Sequence, residues 1–253
     1  MKLRAMSFNI LCAKTTPERV ELVLRMIEKY SPDTVGFQEP TVKWMEILKE
    51  RIGEKYDFVG VGRNADGGGE ASPVFYLKSR FKLLDSGTRW LCETPDVPGS
   101  KVEESSLPRV CSHALLEEKE TGERLVCVNT HLEHTADDAR IRQAGYLVEF
   151  LNSYLDKSLP CVLTGDFNCE STAQSYKTVL SSGLVNSSDI AKKKEEAPTF
   201  HGFGKVAVTI DYIFVTPNID VKFHRVCDDT FKNENGEAEH PSDHNPIVAD
   251  LEL

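Results

Sequence analysis

The segment Leu163-Thr164-Gly165-Asp166-Phe167-Asn168 places a carboxylate and an amide at the end of an apolar run. The run predicts a strand, and the glycine turn after it presents Asp166 and Asn168 at alternating positions, hence on one face. An acid and an amide in that place are suited to orienting a water molecule and contacting a phosphoryl oxygen. The alternative is a turn in which both side chains only satisfy backbone N–H groups. Taken alone, the segment leaves both interpretations open.

Two further segments bear on the same chemistry. Ser242-Asp243-His244-Asn245-Pro246 directly precedes the last strand, where it supplies either a metal ligand and a proton donor or an ordinary turn. Asp211 lies within the apolar run Ile210–Val215, where an unpaired carboxylate is costly to bury. Asp211 is therefore predicted to have a partner, and a histidine is the natural one because a carboxylate stabilises the imidazolium.

Three other strand ends carry polar side chains. Glu39 follows a short strand and is well placed for a hard cation, Asn9 lies in the first strand, and His131 ends another. His131 and His134 share an H-x-x-H spacing that suggests zinc. On a strand or turn their rings would diverge, and no HExxH or third ligand appears, so zinc is disfavoured.

The elements that must position these residues alternate between strand-like and helix-like stretches. Thr15-Thr16-Pro17-Glu18 predicts a helix start, and Ser31-Pro32-Asp33 predicts its end. In the middle of the chain, short β-rich segments separated by turns are typical of consecutive antiparallel strands. Strands are predicted at Leu3–Leu11, Thr34–Gln38, Phe58–Val61, Val74–Leu77, Arg80–Asp85, Val110–Glu117, Arg124–Asn129, Pro160–Thr164, Val206–Val215 and Ile247–Leu253, with further helices at Thr41–Ile52, Asp137–Leu155 and Gln174–Leu180.

This order of elements predicts two packed sheets, each covered outside by helices, in one α+β sandwich domain over residues 1–253. No internal repeat or interior linker interrupts the chain. Two loops, Cys92–Pro108 and Asp228–Pro241, are long enough to be functional, or else mobile surface connections.

Composition limits the classes of function. The chain has 253 residues and a formal net charge of −10, which makes nucleic-acid binding less favourable and favours a small substrate. No run is long and apolar enough for a transmembrane helix, and the first residues are too polar for a signal peptide. Seven cysteines without a CxxC pair predict reduced thiols in a cytoplasmic protein, with Cys161 and Cys169 in the core.

The ordered combination of these segments resembles the endonuclease/exonuclease/phosphatase superfamily, which has the deoxyribonuclease-I-like fold. The resemblance spans essentially the whole chain and implies a four-layer α/β/β/α sandwich of mainly antiparallel sheets. It implies a Mg2+ site, where Mn2+ can substitute, with Glu39 as principal ligand and Asn9 and Asp243 beside it. It also implies that Asp166 orients or deprotonates the attacking water and that Asn168 binds a phosphoryl oxygen. His244, held by Asp211, would stabilise the transition state or carry a proton, and the identity of the base stays open between Asp166 and His244.

A narrower resemblance, to a bacterial subgroup that includes sugar-phosphate phosphatases, covers the segments around Arg63, Trp90 and Arg109. It implies that the two arginines clamp a substrate phosphate and that Trp90 stacks on a sugar or base; the alternatives are surface ion pairs and core packing. His131 is typical of the nuclease, sphingomyelinase and phosphatase branches. Some members pair this histidine with a carboxylate, for which Glu70 is the candidate here.

The resulting prediction is a Mg2+-dependent phosphoesterase that acts on a phosphomonoester of a small metabolite such as a sugar phosphate. The alternative is a nuclease or other phosphodiesterase with the same site. A lipid diesterase and a non-catalytic binding protein are less favoured. We expect no membrane association and no obligate protein partner.

Overall fold

The computed structural model describes residues 1–13, 15–155, 157–232 and 235–253. In chain order its elements are β1 Lys2–Asn9, α1 Pro17–Tyr30, β2 Thr34–Gln38, α2 Val42–Ile52, β3 Tyr56–Val59, β4 Val74–Leu77, β5 Phe81–Trp90, β6 Val110–Glu118, β7 Arg124–His131, α3 Asp137–Leu155, β8 Cys161–Asp166, α4 Gln174–Leu180, β9 Val185–Asn186, α5 Ser187–Ile190, β10 Lys194–Glu195, β11 Asp211–Val215, β12 Asp220–Val226, β13 Phe231–Lys232, β14 Ala238–Glu239 and β15 Ile247–Glu252.

Two large mixed sheets form the centre of the fold. The first has the order β10-β12-β15-β1-β2-β4-β3 and the second has the order β5-β6-β7-β8-β11-β9. Most neighbours are antiparallel, but β1 pairs with β2, β7 with β8 and the short β10 with β12 in parallel. The first two of these pairs each bring two carboxyl-terminal strand ends to the same edge of the sheet.

The period-2 alternation of strand side chains explains the layers. In β1, Leu3 and Ala5 join an apolar cluster between the two sheets, whereas Met6 and Phe8 pack under the first pair of helices. That outer cluster includes Val23 of α1 and Leu48 of α2. On the second sheet, outward-facing side chains pack in the same way under α3 and α4. The predicted four-layer α/β/β/α sandwich is therefore confirmed.

Most predicted element positions agree with the structure. Thr16 caps α1, its hydroxyl accepting from the Arg19 N–H, a type of contact that contributes about 1 kcal/mol. Ser31 ends that helix with a left-handed φ of 44°. Val74–Leu77, Asp137–Leu155 and Gln174–Leu180 have the predicted bounds.

Three predictions about elements differ from the structure. The strand predicted at Val206–Val215 begins only at Asp211, after a loop. The strand β12 was not predicted, because its charged residues and a register shift between Val221 and Phe223 interrupt the alternation. The loop Asp228–Pro241 contains β13 and β14, while its residues 233 and 234 lie outside the described residues. No helix among the described residues is long and apolar enough to cross a membrane.

Candidate active site

Strand register brings three of the predicted site residues together on the second sheet. Asp166 is the last residue of β8, opposite His131 at the end of parallel β7 and Asp211 at the start of antiparallel β11. All three share the inter-sheet face with core residues of their strands at period 2: His131 follows Leu125 and Cys127 along β7, whereas Asp211 precedes Ile213 along β11. The face between the sheets is therefore apolar along most of its length and becomes polar at one end.

The first sheet contributes Asn9 and Glu39 at the same end. The Asn9 amide nitrogen donates to Asp166 Oδ2 at 2.9 Å and to Glu39 Oε1 at 3.0 Å. One side chain thus joins the candidate base to the candidate metal ligand across the sandwich. Asn9 Oδ1 accepts from the Leu11 N–H at 3.0 Å, which orients the amide.

His244 and Asp211 form a buried pair. Their Nδ1 and Oδ2 atoms are 2.9 Å apart, so the histidine partner predicted for Asp211 is His244. The other ring nitrogen, Nε2, lies 3.8 Å from Asp166 Oδ2. Burial alone would lower the pKa of His244, but the carboxylates of Asp211 and Asp166 outweigh it and raise the pKa to about 10. The imidazole is therefore protonated at neutral pH.

His131 faces the same carboxylate in a different environment. Its Nε2 lies 3.5 Å from Asp166 Oδ2 and accepts from the Asn168 amide nitrogen at 2.9 Å. Burial, and then the positive charges of Arg109 and the other cations nearby, place the pKa of His131 well below its usual value. His131 is therefore neutral, and because Nε2 accepts, its proton is on Nδ1.

Asn168 forms the turn that is one interpretation of its segment. Its backbone N–H donates to Asp166 Oδ1 at 2.9 Å, as in a turn, and its φ of 50° is left-handed. Its amide nitrogen also donates to the Leu132 carbonyl at 3.0 Å. The turn thus holds the Asn168 side chain beside His131. Burial and the nearby Asp211 carboxylate raise the pKa of Asp166, which makes it a stronger base than an exposed aspartate.

Glu39 is the best candidate ligand for a cation. It has a left-handed φ of 68°, a sparsely populated conformation for a residue other than glycine. Burial works against its ionisation, but the Cys12 N–H at 2.8 Å and the Asn9 amide outweigh it and lower its pKa. Burial, and to a lesser degree the Glu39 charge, raise the pKa of Asp243, so the two carboxylates lie close enough to interact. Carboxylate oxygens are ligands that Mg2+ prefers, and Glu39 and Asp243 fit such an ion, while Asn9 presents its amide nitrogen rather than its oxygen to Glu39.

Glu70 does not pair with His131, so that prediction is wrong. Its carboxylate accepts two bonds from Arg63, from Nη1 at 2.7 Å and from Nη2 at 3.1 Å. A guanidinium fork matches a carboxylate in this geometry, whereas an imidazole offers only one donor. The Glu70 side chain still lies near His131, since both line one small cavity with Arg63 and Arg109.

Trp90 does not face a substrate, contrary to the expectation that it stacks on a sugar or base. It is only 5% exposed and packs in a small cluster with Val102 and Val110. Its indole N–H donates to the Arg63 carbonyl at 2.7 Å. The ring therefore fixes the backbone of Arg63 from behind.

Arg109 is buried beside His131 with unused hydrogen-bonding capacity. It is 4% exposed, and its Nη2 donates to His134 Nδ1 at 3.0 Å. Its Nε and Nη1 are buried without a hydrogen-bond partner among the described residues, as is Nε of Arg63. Burial and the neighbouring Arg63 lower the pKa of Arg109. A buried cation with unpaired donors is suited to receiving an anion.

A layer of buried polar groups beneath the site was not predicted. Gln38 Nε2 donates to Asn129 Oδ1 at 2.6 Å, and the Thr164 hydroxyl donates to the same oxygen at 3.0 Å. Gly36 allows this contact between the sheets, because a Cβ there would lie 2.0 Å from Thr164 Oγ1. The signal was present in the sequence, because Asn129 and Thr164 lie two positions before His131 and Asp166, and Gln38 lies directly before Glu39.

Arg19 and Glu133 were also missed. The Arg19 guanidinium donates to the carbonyls of Leu11 and Ala13, each at 2.6 Å, and so holds the loop after β1. Glu133 is fully buried and accepts from the hydroxyls of Ser105 and Ser106, which ties the loop before Arg109 to the end of β7. Charged residues in a helix turn and a loop carry no local signal for such roles.

The remaining predictions concern thiols and zinc. All seven cysteines are free, and Cys161 and Cys169 pack in the cluster under α3 and α4. His134 is half-exposed and bound to Arg109, while His131 points into the site. The two rings diverge as expected for this segment.

Comparison with known proteins gives a consistent result. Residues 6–244 match the Endonuclease/Exonuclease/phosphatase family. A mannosyl-6-phosphatase from Bacteroides thetaiotaomicron VPI-5482 superposes with a TM-score of 0.93 at 34% identity, covering 99% of this chain and 100% of that chain. Human Nocturnin is 26% identical over 92% of this chain and 58% of its own length.

A third relative is the CCR4-Not complex 3'-5'-exoribonuclease subunit Ccr4 of Candida albicans, 24% identical over 98% of this chain and 41% of its own length. The chain likewise spans between 42% and 64% of the Nocturnins that it matches. Similarity therefore covers nearly all of this chain but about half of these curated relatives.

Proposed function

The chain belongs to the endonuclease/exonuclease/phosphatase family of phosphoesterases, and from this premise we propose that it hydrolyses the phosphomonoester of a small metabolite such as a sugar phosphate. The observation that carries the proposal is Arg109, which is buried beside His131 and has two guanidinium nitrogens, Nε and Nη1, without a hydrogen bond among the described residues, although Nε lies 4.0 Å from Glu133 Oε2. A terminal phosphate carries more negative charge than a diester, so it gains more from this cation.

Asp166 and His244 divide the proton transfers in the proposed reaction. The raised pKa of Asp166 supports its role as the base that accepts a proton from the attacking water. The pKa of His244, raised to about 10, supports its role as an acid, since it holds a proton at neutral pH. Asp211 keeps the His244 ring oriented through the 2.9 Å contact to Nδ1.

Arg109 and Asn168 would bind the phosphoryl oxygens in this scheme. Arg109 is held by His134, and a donor that is fixed before the substrate arrives stabilises the charge that develops in the transition state without further reorganisation. The Asn168 amide nitrogen donates to His131 and to the Leu132 carbonyl, so it would exchange one of these contacts for a phosphoryl oxygen. Arg63 holds Glu70 and leaves its Nε for the same cavity.

Mg2+ is the proposed cofactor, with Mn2+ as a substitute, and Glu39 and Asp243 would hold it, whereas Asn9 turns its amide nitrogen toward Glu39 and orients that carboxylate. When bound, such an ion supplies positive charge to phosphate oxygens in the transition state. Glu39 has the lowered pKa that a permanently ionised ligand requires. Its bonds to Asn9 and to Cys12 N–H set the orientation of the carboxylate.

The test is release of inorganic phosphate from a panel of phosphorylated metabolites that begins with hexose 6-phosphates, with Mg2+ and with a chelator. The similarity to a mannosyl-6-phosphatase sets this starting point. Metal-dependent release from a monoester that Asp166→Asn abolishes is the expected result. Release that persists in the chelator or in Asp166→Asn would overturn the assignment.

A nuclease is the second candidate, because one relative is named as a 3'-5'-exoribonuclease. The formal net charge of −10 works against it, since duplex and single-stranded nucleic acids are bound mainly through cationic surfaces. Plasmid nicking and RNA cleavage under the same metal conditions test it. Cleavage without phosphate release from any monoester would favour this candidate over the first.

A further inference from the structure

A thiol and two carboxylates meet at the edge of the candidate active site. The Cys12 thiol, Glu39 and Glu70 each offer one atom, and these atoms all lie within 4.8 Å of one another. They come from the loop after β1, the residue after β2 and the loop before β4. Three ligands of two types that converge from separate segments are a tertiary feature, and family resemblance does not predict Cys12.

The two carboxylates and the backbone of Cys12 are held in place. The Cys12 N–H donates to Glu39 Oε2 at 2.8 Å, and Arg63 holds Glu70 with two bonds. Arg19 is buried and donates to the carbonyls of Leu11 and Ala13, on either side of Cys12. The loop that carries the thiol is therefore anchored, and the thiol is half-buried rather than free in solvent.

The mixture of donors distinguishes this position from a magnesium site. Mg2+ takes oxygen ligands in octahedral geometry and keeps several waters, whereas Zn2+ and Co2+ also accept sulfur. A thiolate with two carboxylates and one water supplies four ligands, which is the number a zinc-like ion prefers. Glu39 belongs both to the proposed Mg2+ site and to the cluster with Cys12 and Glu70, so two ions would compete for it.

We propose that Cys12, Glu39 and Glu70 bind a divalent cation with affinity for sulfur, such as Zn2+ or Co2+. As the metal–sulfur bond forms, the thiol proton passes to solvent. The inference that this ion displaces Mg2+ and stops the reaction rests on the proposed function, while the binding itself does not. The structure thus assigns a second, inhibitory use to Glu39.

The direct test is titration of the full chain with Co2+ alone, followed by absorption. Cobalt bound to a thiolate gives a charge-transfer band in the near ultraviolet, which carboxylates do not give. We expect a saturable band in the native chain, its loss in Cys12→Ser, and its decrease when excess Mg2+ competes for Glu39. Cys92→Ser is the matched control, since Cys92 is buried against Ser100 away from the site, and it should keep the band.

The outcomes separate this inference from the proposed function. An absent band, or one that Cys12→Ser leaves unchanged, overturns the sulfur-containing site even if the chain proves to be a Mg2+-dependent phosphatase. A band that depends on Cys12 supports the site even if no phosphate ester is cleaved. A Cys12-dependent band that excess Mg2+ does not reduce overturns the shared use of Glu39.

Discussion

His131 and His244 face the same carboxylate from different sheets and acquire opposite protonation states. Their Nε2 atoms lie 3.5 and 3.8 Å from Asp166 Oδ2. His244 has Asp211 at 2.9 Å and a pKa raised to about 10. His131 has Arg109 and Arg63 nearby, and its pKa is well below the usual value. The distance to Asp166 therefore does not decide the charge of either ring. The other charged groups near each ring decide it.

The contrast predicts different roles for the groups on the two sides of Asp166, with His244 on one side and His131 and Arg109 on the other. The His244 side holds a mobile proton and is suited to acid catalysis. On the other side His131 is neutral and Arg109 carries the positive charge. Arg109 cannot give up a proton near neutral pH and is therefore suited to binding an anion. Two histidines in the sequence thus become one proton donor and one neutral neighbour of a cationic pocket.

Removing the shared carboxylate should have the largest effect. Asp166→Asn keeps the shape but loses the base and the charge that both histidines face. We expect phosphate release to fall by about 100- to 10,000-fold, the usual contribution of a general base. A decrease below about tenfold in steady-state assays would argue that neither side depends on Asp166.

Changing the partner of His244 tests that side alone. In Asp211→Asn the carboxylate that raises the pKa is gone, so the pKa of His244 should fall from about 10 and the alkaline limb of the pH–rate profile should move to lower pH. The rate at neutral pH should fall by roughly 100-fold. Glu70→Gln, on the His131 side, should leave the position of that limb unchanged.

The same pair has a predicted effect on folding stability. Because the folded pKa of His244 lies above the unfolded one, its contribution is complete below about pH 6.5. It is lost as the pH rises toward about 10. Urea unfolding of the native chain at about pH 7 and about pH 9.5 should show this loss, and Asp211→Asn should show less of it. An equal loss in both proteins would contradict the charged pair.

Neutralising Arg109, on the His131 side of Asp166, should affect substrate binding more than the rate of the chemical step. Arg109→Gln removes the buried cation, and we expect KM to rise by about 10- to 100-fold, equivalent to ~1.5–3 kcal/mol for a hydrogen bond to a charged group. The pKa of His131 should rise because a nearby positive charge is gone, which a histidine NMR titration would show. Arg89→Gln is a suitable control, since Arg89 is only partly buried and pairs with Asp96.

The smallest effect is expected at Glu133, whose buried carboxylate supports the loop before Arg109. Burial opposes ionisation of Glu133, but bonds from Ser105, Ser106 and Thr135 outweigh it and lower its pKa far below the usual range. Glu133→Gln should reduce the free energy of unfolding by about 1–3 kcal/mol at neutral pH. The stabilisation exists above the unfolded carboxyl pKa and is lost as pH falls through the folded one. Glu120→Gln, at an exposed turn, should change stability little.

Local patterns predicted a large part of the fold. The cap at Thr16, the bounds of α3 and α4 and the strand Val74–Leu77 depend on propensity and periodicity over a few residues. The strand β12 was missed because Lys222, His224 and Arg225 give it no apolar alternation. The strand is stabilised instead by pairing with β15, and a pattern read over a few consecutive residues cannot reveal this pairing.

The candidate site was predictable as a set of residues but not as an arrangement. Asn9 and Asp166 end strands, Glu39 follows one and His244 precedes one, and the order of these residues along the chain carried the resemblance to a family. Glu70 and Trp90 show what the sequence could not predict about the site. Both lie near the site, but one is bound to Arg63 and the other is buried behind it.

Residue types and their alternation along strands determine which side chains face the space between the sheets, because this depends only on local backbone geometry. That is why Asn9, His131, Asp166 and Asp211 were recognisable from the sequence by itself. Their partners depend on packing between distant segments: the Asn9–Asp166 bond joins residues 157 positions apart. Protonation depends on partners and burial in turn, so the opposite charges of His131 and His244 are properties of the tertiary structure alone.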